Sequence, residues 1–189
     1  MSDVRHLSMA ELEAGLDLIR QSPPDDGVLD LIVRRPRPNE RDVLVEAQLD
    51  LAEGLVGDSW RARGSRHMPG NAAHPEMQLN IMNARAAALV AQSKDRWALA
   101  GDQLYVDFDL SEANAPPGTR LAIGATVIEV TAQPHTGCTK FVSRFGVDAM
   151  KFVNSPVGKQ LHLRGINAKV VQPGVVRVGD TIRKVRPAS

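Results

Sequence analysis

The spacing of apolar residues near the N-terminus predicts a short helix. Apolar side chains recur at helical intervals from Leu12 to Ile19, and Ser8 with Glu11 forms a capping-box pattern before them. A segment rich in proline, aspartate and glycine then ends the helix. We therefore expect residues 1–27 to be a helical extension and residues 28–189 to be the main domain.

Beyond residue 27 the pattern changes to short strands separated by turns. Segment 28–33 is a continuous apolar run, and segment 43–49 alternates apolar and polar residues, which suggests a hairpin across the charged turn 34–41. Further strand signals cover 104–108, 121–123, 126–131, 166–171, 175–178 and 181–185. The sequence therefore predicts a mostly β protein, a closed or partly open β-barrel with mainly antiparallel strands and a few peripheral helices.

Two segments of the main domain carry a helical pattern. The clearer one is 78–92, in which Asn83 can cap the alanine-rich run 84–91. A second helical pattern follows Cys138 and extends to Phe152. We expect the alanine-rich helix to pack against the outside of the barrel.

Composition narrows the classes of function. The chain has 189 residues, of which 43% are apolar and 24% charged, and its formal net charge is +1. These values are typical of a globular protein and exclude disorder or a coiled coil for the whole chain. The balanced charge gives no general attraction to nucleic acid or to an anionic membrane, so neither is an expected partner. A single cysteine excludes an internal disulfide framework.

The sequence shows no targeting or membrane-spanning segment. Its first six residues are polar and no signal-peptide core follows them. No apolar run approaches the roughly 18 residues that a membrane span needs. Together with the lack of disulfides, these features lead us to expect a cytoplasmic protein.

The single cysteine, Cys138, is the first candidate for chemistry. It follows a predicted strand within the segment Pro134-His135-Thr136-Gly137-Cys138-Thr139-Lys140, whose proline and glycine indicate a tight loop. Positive charge from Lys140 and His135 would favour the thiolate, the form that binds soft metals or carries sulfur. The alternative is a small, buried, structural cysteine.

Arginine residues are the second group of candidates. Arg61, Arg63 and Arg66 lie in a glycine-rich loop, and Arg164 precedes a predicted strand. Guanidinium groups match phosphate geometry in pairs, and glycines let backbone N–H groups turn toward an anion. We expect at least two of these four arginines to line the same cleft as Cys138. The alternative is a set of solvated surface charges.

Several short motifs follow one another in a characteristic order. They are Gly54-Leu55-Val56-Gly57-Asp58, Gly101-Asp102-Gln103-Leu104, Pro117-Gly118-Thr119-Arg120, the segment around Cys138, Arg164-Gly165-Ile166-Asn167 and Pro173-Gly174-Val175-Val176-Arg177-Val178-Gly179-Asp180. Over residues 28–185 this succession resembles the MOSC domain, a family named for the C-terminal domain of molybdenum cofactor sulfurase.

The resemblance implies a fold, a cofactor and a set of site residues. The fold is a β-barrel of the MOSC or pyruvate-kinase-barrel type, and the cofactor is molybdenum cofactor of the molybdopterin type. The family's marker cysteine, which ligates molybdenum in reductase members, maps onto Cys138. A reductase of this kind would act on a small N-hydroxylated substrate with electrons from a separate donor protein. The residues then expected to bind the cofactor are Arg61, Arg63, Arg66, His135, Thr136, Lys140, Arg164 and Asn167.

Two other functions stay open at this point. In the sulfurase setting, which is associated with pyridoxal phosphate, the same cysteine is proposed to carry sulfur, so the chain could deliver sulfur or cofactor to an accepting enzyme. The third hypothesis is a barrel that binds an anion without a metal, in which Cys138 is structural. The chain also departs from the family, since many members have Gly-Glu-Asn-Leu at 101–104 and proline or arginine where Gly137 stands.

Overall fold

The computed structural model describes residues 5–186, whose strands form two sheets. The strands are β1 (Gly27–Arg34), β2 (Asp42–Leu44), β3 (Glu46–Asp50), β4 (Gly54–Leu55), β5 (Leu79–Asn83), β6 (Leu104–Asp107), β7 (Arg120–Ile123), β8 (Thr126–Val130), β9 (Ile166–Gln172), β10 (Gly174–Arg177) and β11 (Thr181–Lys184). The α-helices are α1 (Met9–Ala14), α2 (Leu16–Arg20), α3 (Trp60–Arg63), α4 (Ala84–Ala91), α5 (Thr139–Phe145), α6 (Val147–Asn154) and α7 (Pro156–Gln160). Short 3-10 helices span 69–71, 75–77 and 94–100.

Seven strands close into a barrel in the order β11-β7-β8-β9-β5-β6-β1. The barrel closes where β1 pairs with β11, through Gly27 opposite Ile182 and Val28 opposite Thr181. All neighbours in the barrel are antiparallel except β5 and β6, which are parallel. Strand β2 extends the sheet from β1, while β10, β3 and β4 form a small second sheet. The predicted β-barrel with peripheral helices is confirmed, and its sheet is mixed.

Two apolar clusters hold this architecture together. One fills the barrel interior, and the other lies between the barrel wall and the surrounding helices. Strand β6 contributes side chains to both clusters, because successive side chains of a strand point to opposite faces of the sheet. Its Leu104 and Val106 belong to the interior cluster, and Tyr105 between them belongs to the outer one. The phenylalanines of the outer cluster, Phe141, Phe145 and Phe152, come from α5 and α6.

The predicted helix over 78–92 is wrong in its first half. Residues Leu79–Asn83 form β5, which lies between β6 and β9 with all five residues buried. The helix begins only after Asn83, whose side chain accepts a hydrogen bond from the backbone N–H of Ala86. Tertiary pairing overrides local helical propensity here. The helix packs on the outer cluster, outside the barrel.

Two other predicted elements are each interrupted in the structure. The predicted N-terminal helix is divided at Gly15 into α1 and α2, where the side chain of Leu89 packs closely against the glycine. The predicted strand 43–49 is interrupted at Val45, which is 82% exposed. Strand β1 begins at Gly27, one residue before the expected start of the main domain. None of the helices between residues 5 and 186 combines the length and apolar character that crossing a membrane requires.

Candidate functional site

A cleft of about 490 Å³ opens beside the barrel, where loops from four regions of the chain meet. They are the segment after β1, helix α3, the segment before β6 and the N-terminal part of α5. The side chains of Cys138, His135 and Arg164 line this cleft together. The fold therefore brings the candidate cysteine to a concave surface together with other candidate residues.

Cys138 occupies the N-cap position of α5 and is exposed. Its carbonyl oxygen accepts hydrogen bonds from the backbone N–H groups of Phe141 and Val142, at 2.9 and 3.1 Å. The preceding residue, Gly137, is held by Asn154, which accepts from its N–H at 2.9 Å and donates to its carbonyl at 3.2 Å. A Cβ on Gly137 would lie 3.1 Å from the side chain of Val153, so a larger residue would be tightly packed at this position.

The lining of the cleft is strongly cationic. Among residues 5–186, no aspartate or glutamate lines it. Its cations are Arg35, Arg37, Arg41, Arg63, Lys140, Arg144 and Arg164. Four of them, Arg41, Arg63, Lys140 and Arg144, have no carboxylate within 4 Å in the described part of the chain. We refer to this surface as the cationic cleft.

The guanidinium groups of the cationic cleft repel one another. The pKa of Arg41 is lowered by burial and then by the charges of Arg144 and Arg35. Burial also lowers the pKa of Arg63, followed by repulsion from Arg35. Both guanidiniums still carry a full charge at neutral pH. An anion in the cleft would relieve this repulsion, so the arrangement favours binding of a negatively charged group.

Arg35 forms the best-satisfied ion pair of the cleft. Its Nε and Nη2 donate to the two oxygens of Asp58, each at 2.9 Å, in the bidentate geometry that guanidinium and carboxylate prefer. Its Nη1 donates to Asn80 Oδ1 and to the carbonyl oxygen of Gly101, each at 2.8 Å. Asp58 also accepts from the backbone N–H groups of Arg35 and Trp60. This pair joins the floor of the cleft to the loops around it.

Buried amides connect the barrel to the loop that leads to Cys138. Asn80 donates through Nδ2 to Asn167 Oδ1 at 2.6 Å, and its backbone N–H donates to Gln103. Asn167 is fully buried and donates to the carbonyls of Gln133 and Pro134, at 3.1 and 3.3 Å. Asn167 therefore fixes the loop from beneath rather than reaching into the cleft.

Arg164 forms a second buried pair that is less completely bonded. Its Nη1 donates to Asp102 Oδ2 at 2.6 Å and its Nη2 to the carbonyl of Ala100 at 2.8 Å. Arg164 Nε, Asp102 Oδ1 and His135 Nδ1 are buried and have no hydrogen-bond partner among the described residues. Asp102 Oδ1 and His135 Nδ1 lie 3.4 Å apart. This group therefore retains unused hydrogen-bonding capacity beside the cleft.

His135 is neutral in this environment. Burial lowers the pKa of its ring to about 3, with a further contribution from the positive charge of Arg164 and an opposing one from Asp102. At neutral pH the ring is therefore a hydrogen-bonding group without charge. The expectation that His135 adds positive potential beside Cys138 is wrong, because the desolvated ring does not hold the second proton.

The structure separates the sequence candidates into three groups. Cys138, His135, Lys140, Arg63 and Arg164 line the cationic cleft. Arg61 and Arg66 are exposed and line none of the cavities described between residues 5 and 186. Thr136 lines a neighbouring cavity, and Asn167 lies fully buried below the loop.

Helix α3 explains why Arg63 and Arg61 differ. Residues three apart on a helix share a face, so Arg63 lies on the same side as the buried Trp60 and lines the cleft, although it is an exposed residue. Arg61 lies on another side and is solvated. The cleft residues that the sequence did not single out are Arg35, Arg37, Arg41 and Arg144. The charged, proline-bearing turn 34–41 was the signal for the first three, whereas Arg144 lies on α5.

The fold is similar to that of several solved bacterial proteins. YuaD from Bacillus subtilis has a TM-score of 0.61 and 16% identity, over 85% of this chain and 97% of that chain. YiiM from Escherichia coli has a TM-score of 0.54 and 21% identity, over 86% and 71% of the two chains. YiiM from Geobacillus stearothermophilus has a TM-score of 0.58 and 13% identity, over 85% and 75%. At these identities the likeness shows a shared fold.

Sequence comparison identifies the family. No curated protein sequence matches the chain. The MOSC domain family matches residues 70–183, which is more than half of the chain and includes Cys138, Asp102 and Arg164. With a closed barrel of the same fold as YuaD and YiiM, the protein belongs to the MOSC domain family.

Proposed function

We propose that the protein binds molybdenum cofactor in the cationic cleft, with the Cys138 thiolate as a ligand of molybdenum. One observation carries this proposal: the single cysteine of the chain is exposed in a cleft lined by seven cationic side chains and, within residues 5–186, by no carboxylate. A thiolate is a soft donor suited to molybdenum.

The donors in the cleft fit the cofactor. A molybdopterin-type cofactor carries a phosphate and brings sulfur ligands of its own to the metal. In residues 5–186 no three His, Cys, Asp or Glu side chains are grouped to hold a metal ion, so the protein is suited to a metal that arrives already ligated. A single thiolate then completes the attachment.

Each cleft residue has a role in this proposal. Within residues 5–186, Arg41, Arg63 and Arg144 are without carboxylate partners, and they would bind the phosphate as bidentate donors. Lys140 lies on the first turn of the helix that Cys138 caps and adds charge close to the thiolate. The Arg61 and Arg66 side chains, which the sequence had also suggested, are left out because they do not reach the cleft.

When bound, the cofactor would supply two-electron redox chemistry at molybdenum. The chain itself would bind, orient and shelter it. We propose reduction of an N-hydroxylated compound as the reaction. The sequence contains no flavin- or iron–sulfur-binding motif, so electrons would come from a separate donor protein.

The exposure of Cys138 supports a second candidate function. A cysteine that hands sulfur or cofactor to another enzyme must be accessible to that enzyme, and Cys138 is exposed at the edge of the cleft. In that function the protein is a carrier, and its partner is a cofactor-accepting enzyme.

The proposal is tested by the molybdenum and pterin content of the purified protein. The host must make the cofactor, and wild type is compared with Cys138→Ser. Ser143→Ala, on the exposed side of the same helix, is the matched control. We expect molybdenum in wild type and in Ser143→Ala, and none in Cys138→Ser.

Two other results would contradict the proposal. Equal molybdenum in wild type and Cys138→Ser would remove the ligand role of the cysteine. Molybdenum in neither protein would contradict cofactor binding and leave sulfur transfer or a structural role for Cys138.

A further inference from the structure

A second cavity of about 350 Å³ lies next to the cationic cleft. It is lined by residues from the segment after β8, from α6 and α7, and from the loop before β9. The two cavities share two lining residues, His135 and Arg164. These side chains therefore stand at the boundary between the cavities.

The charge of the second cavity is very different from that of the cleft. Apart from the shared Arg164, its lining has one cation, Lys159, and one carboxylate, Glu112. Apolar side chains line much of the rest: Pro117, Val130, Ala132, Val153 and Ile166. The charges of Lys159 and Glu112 are equal and opposite, and Arg164 is already paired with Asp102, so the lining suits an uncharged molecule.

The boundary between the two cavities carries unused donors and acceptors. Arg164 is 7% exposed, yet its Nε has no hydrogen-bond partner among residues 5–186. A buried polar group without a hydrogen bond is energetically unfavourable, so this N–H is suited to bind a ligand. Asp102 Oδ1 and His135 Nδ1, which lie 3.4 Å apart, are likewise buried without a hydrogen-bond partner among these residues.

Two of the residues that line the second cavity are glycines packed closely against neighbouring backbone. Gly158 lines it on α7, where a Cβ would lie 2.3 Å from the carbonyl oxygen of Phe152. Gly165 lines it with a φ of +108°, where a Cβ would lie 2.3 Å from the carbonyl of Ile81. Side chains are thus excluded at both positions. The volume of the cavity lies within the roughly 300–1,000 Å³ range of small-molecule sites.

We propose that the second cavity binds the substrate, a small uncharged organic molecule whose polar end is held by Arg164 and His135. This inference rests on the proposed function, which assigns the cationic cleft to the cofactor. The two ligands would then meet at the shared residues, the anionic one on the cationic side and the uncharged one on the other. The substrate class agrees with an N-hydroxylated compound that bears an apolar body.

His135 suits this position because its ring is uncharged. Burial holds the ring in its neutral form at pH 7, so it offers hydrogen bonds without attracting a second anion. Asn154, which also lines the cavity, holds the loop that carries His135 through its two hydrogen bonds to Gly137. Asn154 thus holds the loop at the boundary in position from the side of the second cavity.

Two probes with the same aromatic ring test this inference. Benzaldoxime is uncharged and carries an N–OH group, whereas benzoate carries a carboxylate. Each is titrated into ¹⁵N-labelled protein, and backbone amide signals are followed by NMR. We expect benzaldoxime to shift Gly158 and Gly165 in the second cavity, and benzoate to shift Gly101 and Ala62 in the cationic cleft.

Two tryptophan variants, one in each cavity, identify the cavity in which benzaldoxime binds. Ala132 and Ala62 are both exposed alanines, and each lines only one of the two cavities. Ala132→Trp should weaken benzaldoxime binding about tenfold or more, and Ala62→Trp should leave it unchanged. If Ala132→Trp loses the dispersed spectrum of the folded protein, Thr136→Trp replaces it, since Thr136 lines only the second cavity and is exposed.

The outcomes separate this inference from the proposed function. Benzaldoxime shifts confined to the cationic cleft, or no binding at all, would overturn the inference, as would equal effects of the two tryptophan variants. Binding is measured on protein without cofactor. A failure to retain molybdenum would therefore contradict the proposed function alone, and misplaced benzaldoxime would contradict the second site alone.

Discussion

Two buried arginine–aspartate pairs border the same cleft and differ in how completely they are bonded. Arg35 and Asp58 are joined by two hydrogen bonds of 2.9 Å, and the remaining contacts of both side chains are to other protein groups. Arg164 and Asp102 are joined by one bond of 2.6 Å, and each keeps one buried atom without a partner in the described structure.

The difference between the pairs distinguishes a structural role from a functional one. Both arginines are more than nine-tenths buried, so burial alone does not separate them. A buried ion pair is itself weak evidence of stabilisation, because desolvation offsets much of the attraction. The saturated Arg35 group holds loops together, whereas the Arg164 group has hydrogen bonds left to give and lies against both cavities.

Substitution of each arginine by lysine tests most directly whether the two pairs differ in role. Arg35→Lys removes the bidentate contact to Asp58 and should lower the free energy of unfolding by about 3 kcal/mol. Hydrogen bonds to charged groups contribute about 1.5–3 kcal/mol each. Arg164→Lys can keep its one contact to Asp102 and should cost about 1 kcal/mol. Urea denaturation measures both, and a larger loss for Arg164→Lys would reverse the assignment of roles.

The pH dependence of stability sharpens the view of the Arg164 group. The pKa of His135 is lowered to about 3 in the folded protein, whereas the unfolded ring binds a proton near its usual value of 6.5. The unfolded state therefore takes up a proton first as pH falls, and stability is lost between about pH 6.5 and 3. This loss has a slope of at most about 1.4 kcal/mol per pH unit.

The variant His135→Gln isolates this effect. It should lack the extra slope between about pH 6 and 4.5, above the range in which carboxylates with lowered pKa values, such as Glu11 and Glu129, lose their charge. The groups that face the ring are Asp102, Arg164 and Arg35, and they are the same in both proteins. Parallel stability curves for the two proteins would show that His135 is protonated in the fold.

Charge reversal on α3 has the smallest expected effect on stability. Arg63→Glu and Arg61→Glu should each change the free energy of unfolding by no more than about 1 kcal/mol, since exposed charges contribute little. Arg63→Glu should weaken the binding of inorganic phosphate, whereas Arg61→Glu should not, because only Arg63 lines the cleft. Phosphate titration by calorimetry distinguishes the two, and equal losses would place the anion outside the cleft.

The barrel could be predicted because its strands are short and apolar and are separated by turns that contain glycine and proline. The parallel pairing of β5 with β6 could not, since Leu79–Asn83 runs directly into the best helix-forming segment of the chain. Only the neighbouring strands show that this segment is extended. Local propensity and tertiary pairing conflict there, and the pairing of buried strands determines the outcome.

The site was predictable in part, for similar reasons. Cys138 and Arg164 stand in recognisable motifs, and the structure brings them to one cleft. Arg41 and Arg144 come from segments far apart in sequence, and only the tertiary fold brings both beside Gly101. The choice between Arg61 and Arg63 depended on the face of a four-residue helix, which the sequence pattern did not reveal.

Alkylation of Cys138 is the most direct test of the central claim, that this thiolate binds the metal of the cofactor. The chain has one cysteine, so a single mass increment after iodoacetamide treatment reports on it alone. Protein stripped of cofactor should be alkylated, because Cys138 is exposed, and protein that carries molybdenum cofactor should be protected. Equal alkylation of the two forms would contradict a bond between Cys138 and molybdenum.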